Sequence, residues 1–244
     1  MLKKALFYAL SATLLSTSMA PALAGDADIR KAASEMLRPG TKIDEIRKAE
    51  VAGLYEVRIG SNVFYSDEKG AYFIMGDITD TKSKRNLTEE RRNKLSAIKW
   101  SELPLDQAIK TVRGNGKRVF ATFEDPNCGY CKKLAKEIDG MNDFTMYTFL
   151  YPILSPDSSE KSKNIWCAAD RSKAWMGYMT GKSTPTSANC DTPIEKNLAL
   201  GQRIGVRGTP HLILINGQRI PGAVSADQLN QMLTQSSAEA NGTK

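Results

Sequence analysis

Cys128 and Cys131, in the run DPNCGYCKK at 125–133, are the side chains whose type and spacing could do chemistry. Cysteines three apart can ligate a metal, close a small disulfide, or exchange electrons with other thiols. The run follows RVFATF (118–123), a short apolar strand, and continues as a helix through CKKLAKEID. A strand-to-helix junction puts Cys128 at or just before the helix N-terminus, where unpaired N–H groups and the macrodipole favour negative charge. A thiolate is the nucleophile of disulfide exchange, so this place suits an attacking Cys128. Cys131, one turn on, lies deeper and is the natural resolving thiol. Gly129 and Tyr130 fill the intervening turn and bear on how well the reduced thiolate is held. Lys132 and Lys133 are expected to project to solvent.

The other two cysteines test the metal reading. Cys167 and Cys190 have 22 residues between them and His211 is the sole histidine, a poor match to paired zinc-ligand spacings. A purely structural Cys128–Cys131 bridge would close too short a loop to constrain much of the unfolded chain. Cys167, in the helical run NIWCAADRSKAW, and Cys190, in the loop-like TSANCDTP, make the better structural pair; a second redox pair is the alternative. In RGTPHLILI, Thr209-Pro210 stands immediately before a strand. Beside a redox dithiol this suggests a cis-proline loop facing the sulfurs, with a neighbouring backbone group free to pair with a substrate chain. His211 is given a packing role. Glu124 and Asp125 could relay protons, but a solvated loop serves as well for Asp125, and neither is placed in the catalytic set.

The elements that must position these residues fall into blocks. Residues 1–24 carry Lys3 and Lys4, a short apolar stretch and Ala22-Leu23-Ala24, the pattern of a cleavable secretory signal peptide. An uncleaved anchor is disfavoured because Pro21 and small residues interrupt the run. Export would place the cysteines where disulfides persist, as in the bacterial periplasm. Removing the leader lowers the net charge from +7 to near +5, with basic residues scattered among acids. Only KSKR (82–85) resembles a basic cluster, and a solvated loop explains it, so no nucleic-acid partner is expected. No metal, nicotinamide or flavin motif is present, and no cofactor is expected.

Residues 25–85 read as a small α+β domain: a helix in DADIRKAASEML, then about four short strands including GLYEVRIG and a hairpin in NVFYSDEKGAYFIMGDI. Leu54, Glu56 and Arg58 alternate with Tyr55, Val57 and Ile59. So small a core would gain stability by packing against a copy of itself. NLTEERRNKLSAIKW opens a linker helix assigned to 86–104, with Asn86 or Thr88 as its cap. From 105 to 244 the pattern is α/β, with a helical insertion over about 155–203 and a closing helix capped by Ser225 and Gln228.

FEDPNCGYCKKL, YPIL, WCAAD…CD, LGQRIGVRGTPHLIL and NGQRIPG, in that order, resemble the periplasmic disulfide isomerases of the DsbC/DsbG group. CGYC favours the DsbC branch, since the DsbG branch typically has proline where Gly129 stands. The resemblance implies an N-terminal, cystatin-like dimerisation domain, a linker helix and a thioredoxin-like catalytic domain with a helical insertion. It implies a homodimer whose apolar cleft holds misfolded, disulfide-containing exported proteins, and a membrane thiol reductase of the DsbD kind. Carried across, Cys128 attacks, Cys131 resolves, Thr209-Pro210 is the cis-proline loop, and Cys167–Cys190 is the structural bridge. One departure is that thioredoxins place a buried acid six residues before the first cysteine, where this chain has Thr122. The functions to be separated are isomerase/reductase, a DsbG-like reductase of single oxidised cysteines, a DsbA-like oxidase, and a non-catalytic chaperone.

Overall fold

The structure is a computed structural model, and it describes residues 25–242. The expected signal peptide lies outside the described residues. The chain divides into two compact units, the first ending at Asp77 and the second beginning at Ile78.

In the first unit, helix α1 (Asp26–Met36) buries Ile29 and Ala33. Strands β1 (Glu45–Lys48), β2 (Leu54–Ile59), β3 (Asn62–Asp67) and β4 (Phe73–Ile74) form an antiparallel sheet in sequence order. Ile29 packs with Ile46, Tyr55, Val57 and Phe64, a core cluster of five buried side chains. The alternation in β2 has an exception. Glu56 is buried and not on a wet face, because the opposite residue in the ladder, Arg47, meets its carboxylate with two bonds of 2.9 and 2.6 Å. A buried carboxylate is tolerated when a guanidinium fork satisfies it. At the β4 edge Tyr72, Ile74 and Met75 are exposed.

The second unit is built on a five-stranded sheet of order β5-β7-β6-β8-β9: β5 (Ile109–Arg113), β6 (Arg118–Glu124), β7 (Phe144–Leu150), β8 (His211–Leu214) and β9 (Arg219–Pro221). Only β6 and β7 run parallel, joined by the crossover helix α3 (Gly129–Asp139). Helices α4 (Pro156–Trp166), α5 (Arg171–Met179) and α6 (Ile194–Arg203) supply the insertion, and α7 (Ala226–Ala240) closes the chain. Ser225 and Gln228 form the full capping box of α7. Helix α2 (Leu87–Ser96) is capped by the Asn86 side chain, which accepts from Glu89 N. It lies in the second unit as the chain divides by contact, and Ile98 N donates to Gly217 O further along that unit.

Because side chains alternate along a strand, β6 feeds two cores. Phe120 enters the core that holds Leu134, Ile138, Trp175 and both free cysteines. Ala121 and Phe123 enter the other, with Phe149, Tyr151 and Ile213. The edge strand β5 was not anticipated. It buries Ile109 and Thr111 but exposes Lys110 and Val112, and a polar five-residue stretch carries little apolar signal.

Candidate active site

Strand β6 ends at Glu124, and the loop 125–128 delivers Cys128 to the start of α3. Cys128 is the N-cap of that helix; its sulfur accepts from Cys131 N at 3.4 Å. The helix that follows is amphipathic and buries Cys131, Leu134, Ala135 and Ile138 on one side, which anchors its first turn. Both thiols are free and largely shielded: Cys128 is 5% exposed and Cys131 0%. Tyr130, between them, is 69% exposed. The Thr209-Pro210 peptide bond is cis, and the Cys128 thiol donates to the carbonyl of Thr209 at 3.2 Å. Eighty-one positions apart in the chain, the dithiol and this loop are in direct contact. Cys167 and Cys190 are joined in a disulfide that ties the end of α4 to the loop before α6.

The two acids before the motif are both buried, so the solvated loop weighed for Asp125 is not what the structure has. Asp125 is 0% exposed and collects four donors. Asn127 N (2.7 Å) and the Ser158 hydroxyl (2.8 Å) reach Oδ1; Ile153 N (2.8 Å) and Leu154 N (2.9 Å) reach Oδ2. One carboxyl thus ties the loop before Cys128 to the segment after β7, where Ile153 and Leu154 stand exposed. Asn127 adds a second tie, donating to Ser155 Oγ at 2.9 Å and accepting from Lys161 Nζ at 2.8 Å.

Glu124 is treated in the opposite way. Period-two alternation turns Phe120, Thr122 and Glu124 toward the core that holds the cysteines. Glu124 is 1% exposed, and its Oε2 and the hydroxyls of Thr122 and Thr148 have no aligned partner. Burial pushes its carboxyl up to about 8; Thr122 and the Cys131 thiol, close enough to favour the charged form, pull it partway back. Burial also pushes the Cys131 thiol far up, and the nearby Glu124 charge pushes it further. Cys131 is therefore a neutral thiol with an acid as its neighbour.

His211 heads β8 opposite Phe123, on the sheet face turned away from the dithiol. It is buried, accepts from Arg219 Nε at 3.1 Å, and is lowered to about 4 by burial and the guanidinium charge. Its place is a packing one. Lys132 does not simply project to solvent, since its ammonium lies 5.4 Å from the Tyr178 ring centre, with Lys161 at 5.8 Å.

With this geometry in hand, comparison with known proteins gives a consistent answer. Residues 20–89 match the model of the disulfide bond isomerase protein N-terminal domain, and residues 105–237 that of a thioredoxin-like domain. The chain is 31% identical over 234 residues to the thiol:disulfide interchange protein DsbC of Escherichia coli, covering 94% of this chain and 96% of that one. The chain belongs to the DsbC family. A Bordetella parapertussis relative named "Probable thiol:disulfide interchange protein DsbC" is 49% identical over 181 residues, 74% of this chain and 65% of that one. The chain thus matches a little under two thirds of the length of that relative. A crystal structure of a disulfide interchange protein from Neisseria gonorrhoeae superposes with a TM-score of 0.54 at 40% identity, covering 55% of this chain and 99% of that one. The expected fold class, an α+β N-terminal domain followed by a thioredoxin-like domain, stands.

For this DsbC-family chain the sequence located both cysteine pairs and Thr209-Pro210, and the structure brings Cys128, Cys131 and that loop together. Cys167–Cys190 lies on the insertion, apart from them in sequence. Sequence reasoning undervalued Glu124 and Asp125. The available signal was an acid at the inward register of β6, two positions after Thr122 on the same face.

Proposed function

We propose that the protein is a periplasmic disulfide isomerase/reductase that rearranges wrong disulfides in exported proteins. The observation that carries this reading is the Cys128 thiol at a helix N-cap, against the carbonyl that precedes a cis-proline, with Cys131 sealed beneath it. As a thiolate, Cys128 would be held by the N–H groups of the first turn of α3. It attacks one sulfur of a substrate disulfide, which forms a mixed disulfide and frees a substrate thiolate. A second substrate thiol then attacks the mixed disulfide and releases Cys128, which completes isomerisation. Alternatively Cys131 attacks the Cys128 sulfur, expels the substrate as a reduced thiol and leaves Cys128–Cys131 oxidised. The second route makes a thiol reductant necessary, and a membrane reductase of the DsbD kind fits that need.

The cis-proline loop contributes the backbone of Thr209 to an incoming chain, and exposed Tyr130 offers an apolar contact beside the sulfurs. Gly129 supplies the turn without a side chain to obstruct that approach. The first unit, with its small core and the exposed Tyr72, Ile74 and Met75 at a sheet edge, is the dimerisation domain in this reading. Residues 86–104 join it to the catalytic domain. The cysteine-bearing disulfide Cys167–Cys190 is structural.

The test separates chemistry from holding. Cys128→Ser is assayed on scrambled ribonuclease and on aggregation of a cysteine-free client. Loss of reactivation with retained suppression of aggregation is expected. Reactivation that survives the substitution overturns the isomerase reading and leaves a chaperone. Sedimentation of a chain lacking residues 25–85 should show a monomer.

A further inference from the structure

Two features beside the fully buried Cys131 are not used by the exchange chemistry described above. Glu124 is 1% exposed with an unpartnered Oε2, and Thr122 and Thr148 are buried with unpartnered hydroxyls. Thr122 and Thr148 are directly paired in the β6–β7 ladder, and Thr122 and Glu124 share a face of β6. The three oxygens therefore form one polar strip on the sheet face under α3, within a core otherwise lined by Phe120, Leu134, Met146 and Trp175. A carboxyl with one unpartnered oxygen, helped only by the nearby Thr122 hydroxyl and Cys131 thiol, is costly to bury, and such a strip is unexplained by packing. Its one reactive neighbour is the Cys131 thiol, which influences the carboxyl and is influenced by it.

We propose that Glu124 is the catalytic proton acceptor and donor for Cys131. The proposal rests on the dithiol reading above. In the resolving step, the Cys131 S–H proton passes to the Glu124 carboxylate and the Cys131 sulfur attacks the Cys128 sulfur. The new Cys128–Cys131 bond forms as the bond from Cys128 to the substrate sulfur breaks, and the electron pair leaves with the substrate thiolate. When a reductant thiolate attacks Cys128, the steps run backwards: Cys131 departs as thiolate and takes the proton from the Glu124 carboxylic acid. Burial requires such a partner. A thiol in this core cannot lose its proton to solvent without leaving a bare charge, whereas transfer to Glu124 keeps the total charge of the pocket constant. A carboxyl titrating near 8 has both forms available around neutral pH, as an acid that works in both directions needs.

Full-length wild type and Glu124→Gln are mixed, reduced, with excess glutathione disulfide across pH 5–9. Acid-quenched samples are then resolved by mass into the mixed disulfide at Cys128 and the internal Cys128–Cys131 disulfide. The first step should agree within about twofold, since it does not use Glu124. The second should slow by tenfold or more in Glu124→Gln, the low end of general acid–base contributions. It should also lose an inflection near pH 8 that wild type shows. Glu124→Asp should restore part of the rate and the inflection. A Glu124→Gln protein that resolves at the wild-type rate with the same profile overturns the proposal, as does one that slows both steps equally. A wild type that forms no mixed disulfide at Cys128 sinks the dithiol reading instead, so the two failures are distinct.

Discussion

Replacing Asp125 by asparagine removes one acceptor oxygen from a group that four donors reach. The amide can sit in two ways. With its NH2 at the Oδ2 position, the N–H groups of Ile153 and Leu154 both lose their acceptor. With its NH2 at Oδ1, Asn127 N–H loses its acceptor, while the Ser158 hydroxyl can turn and accept. The second arrangement is cheaper and leaves one buried donor unpaired, at about 1–3 kcal/mol. Asp125→Ala strands the three backbone donors, while the Ser158 hydroxyl can turn to Ser155 Oγ at 3.1 Å, and loop relaxation limits the loss to about 3–5 kcal/mol. Ser158→Ala removes one of the four donors and one acceptor of Asn127 Nδ2, which keeps Ser155 Oγ at 2.9 Å, so it should cost about 1 kcal/mol. All three tryptophans, Trp100, Trp166 and Trp175, belong to the second unit, so their fluorescence during urea unfolding reports on that unit. With a slope of about 2 kcal/mol/M, Asp125→Asn should lower the midpoint by about 0.5–1.5 M. Alkylation of Cys128 should accelerate in the same variant as the preceding loop loosens. A midpoint within about 0.2 M of wild type would show that the 153–154 segment is held by other contacts, and the clamp described for Asp125 would be wrong.

Two further outcomes follow from the same unit. Replacing both Cys167 and Cys190 by alanine reopens a loop with a sequence separation of 23. It should cost about 3 kcal/mol by the chain-entropy relation, read as a lowered denaturant midpoint with the Cys128–Cys131 potential unchanged; a midpoint that does not move refutes it. For Glu124, the folded value of about 8 stands above the 4.5 of the unfolded chain, so its acid form stabilises fully below pH 4.5 and that contribution is lost as pH rises through 8. Glu124→Gln should therefore gain on wild type between those values, by up to about 4 kcal/mol at pH 8, in denaturant titrations at pH 5 and 8. Equal pH slopes in the two proteins would mean the carboxyl is not in the dry environment described. His211 works in the other sense: its folded value of about 4 lies below 6.5, so its contribution is present above pH 6.5 and is lost as pH falls through 4.

How much of this was legible depended on how local the cause is. Cys128 at a helix start follows from an apolar strand, a short loop and an amphipathic helix, all within about twenty residues. The Asn86 cap and the Ser225–Gln228 box are equally local, set by side chains three positions apart. Thr209-Pro210 could be matched to the dithiol only through the chemistry that joins them, because eighty-one positions intervene. The fate of a carboxyl is another matter. Alternation groups Glu56 with Leu54 and Arg58 but does not say that it is buried, and its burial depends on Arg47 lying opposite in the ladder. Three of the four Asp125 donors come from 28 to 33 positions away, on a segment whose path no periodicity predicts. Strand β5 escaped notice because an edge strand with one buried face alternates too briefly to stand out.

Glu124 and Asp125 are chemically similar and adjacent, and the fold separates them completely. The last position of β6 still obeys the pleat, so Glu124 points into the core under α3, where hydrogen-bond donors are scarce and its proton is retained. One residue later the chain leaves the strand, and Asp125 meets the backbone N–H groups of a crossing segment. Polar satisfaction makes Asp125 a clamp and deprives Glu124 of any role as one. The substitutions should therefore dissociate. Asp125→Asn weakens the fold, with its effect on exchange arising through the loop. Glu124→Gln strengthens the fold above pH 4.5 and slows the step that needs a proton moved. A polar group that makes the folded unit less stable at neutral pH, and sits beside a buried thiol, is better explained by chemistry than by architecture.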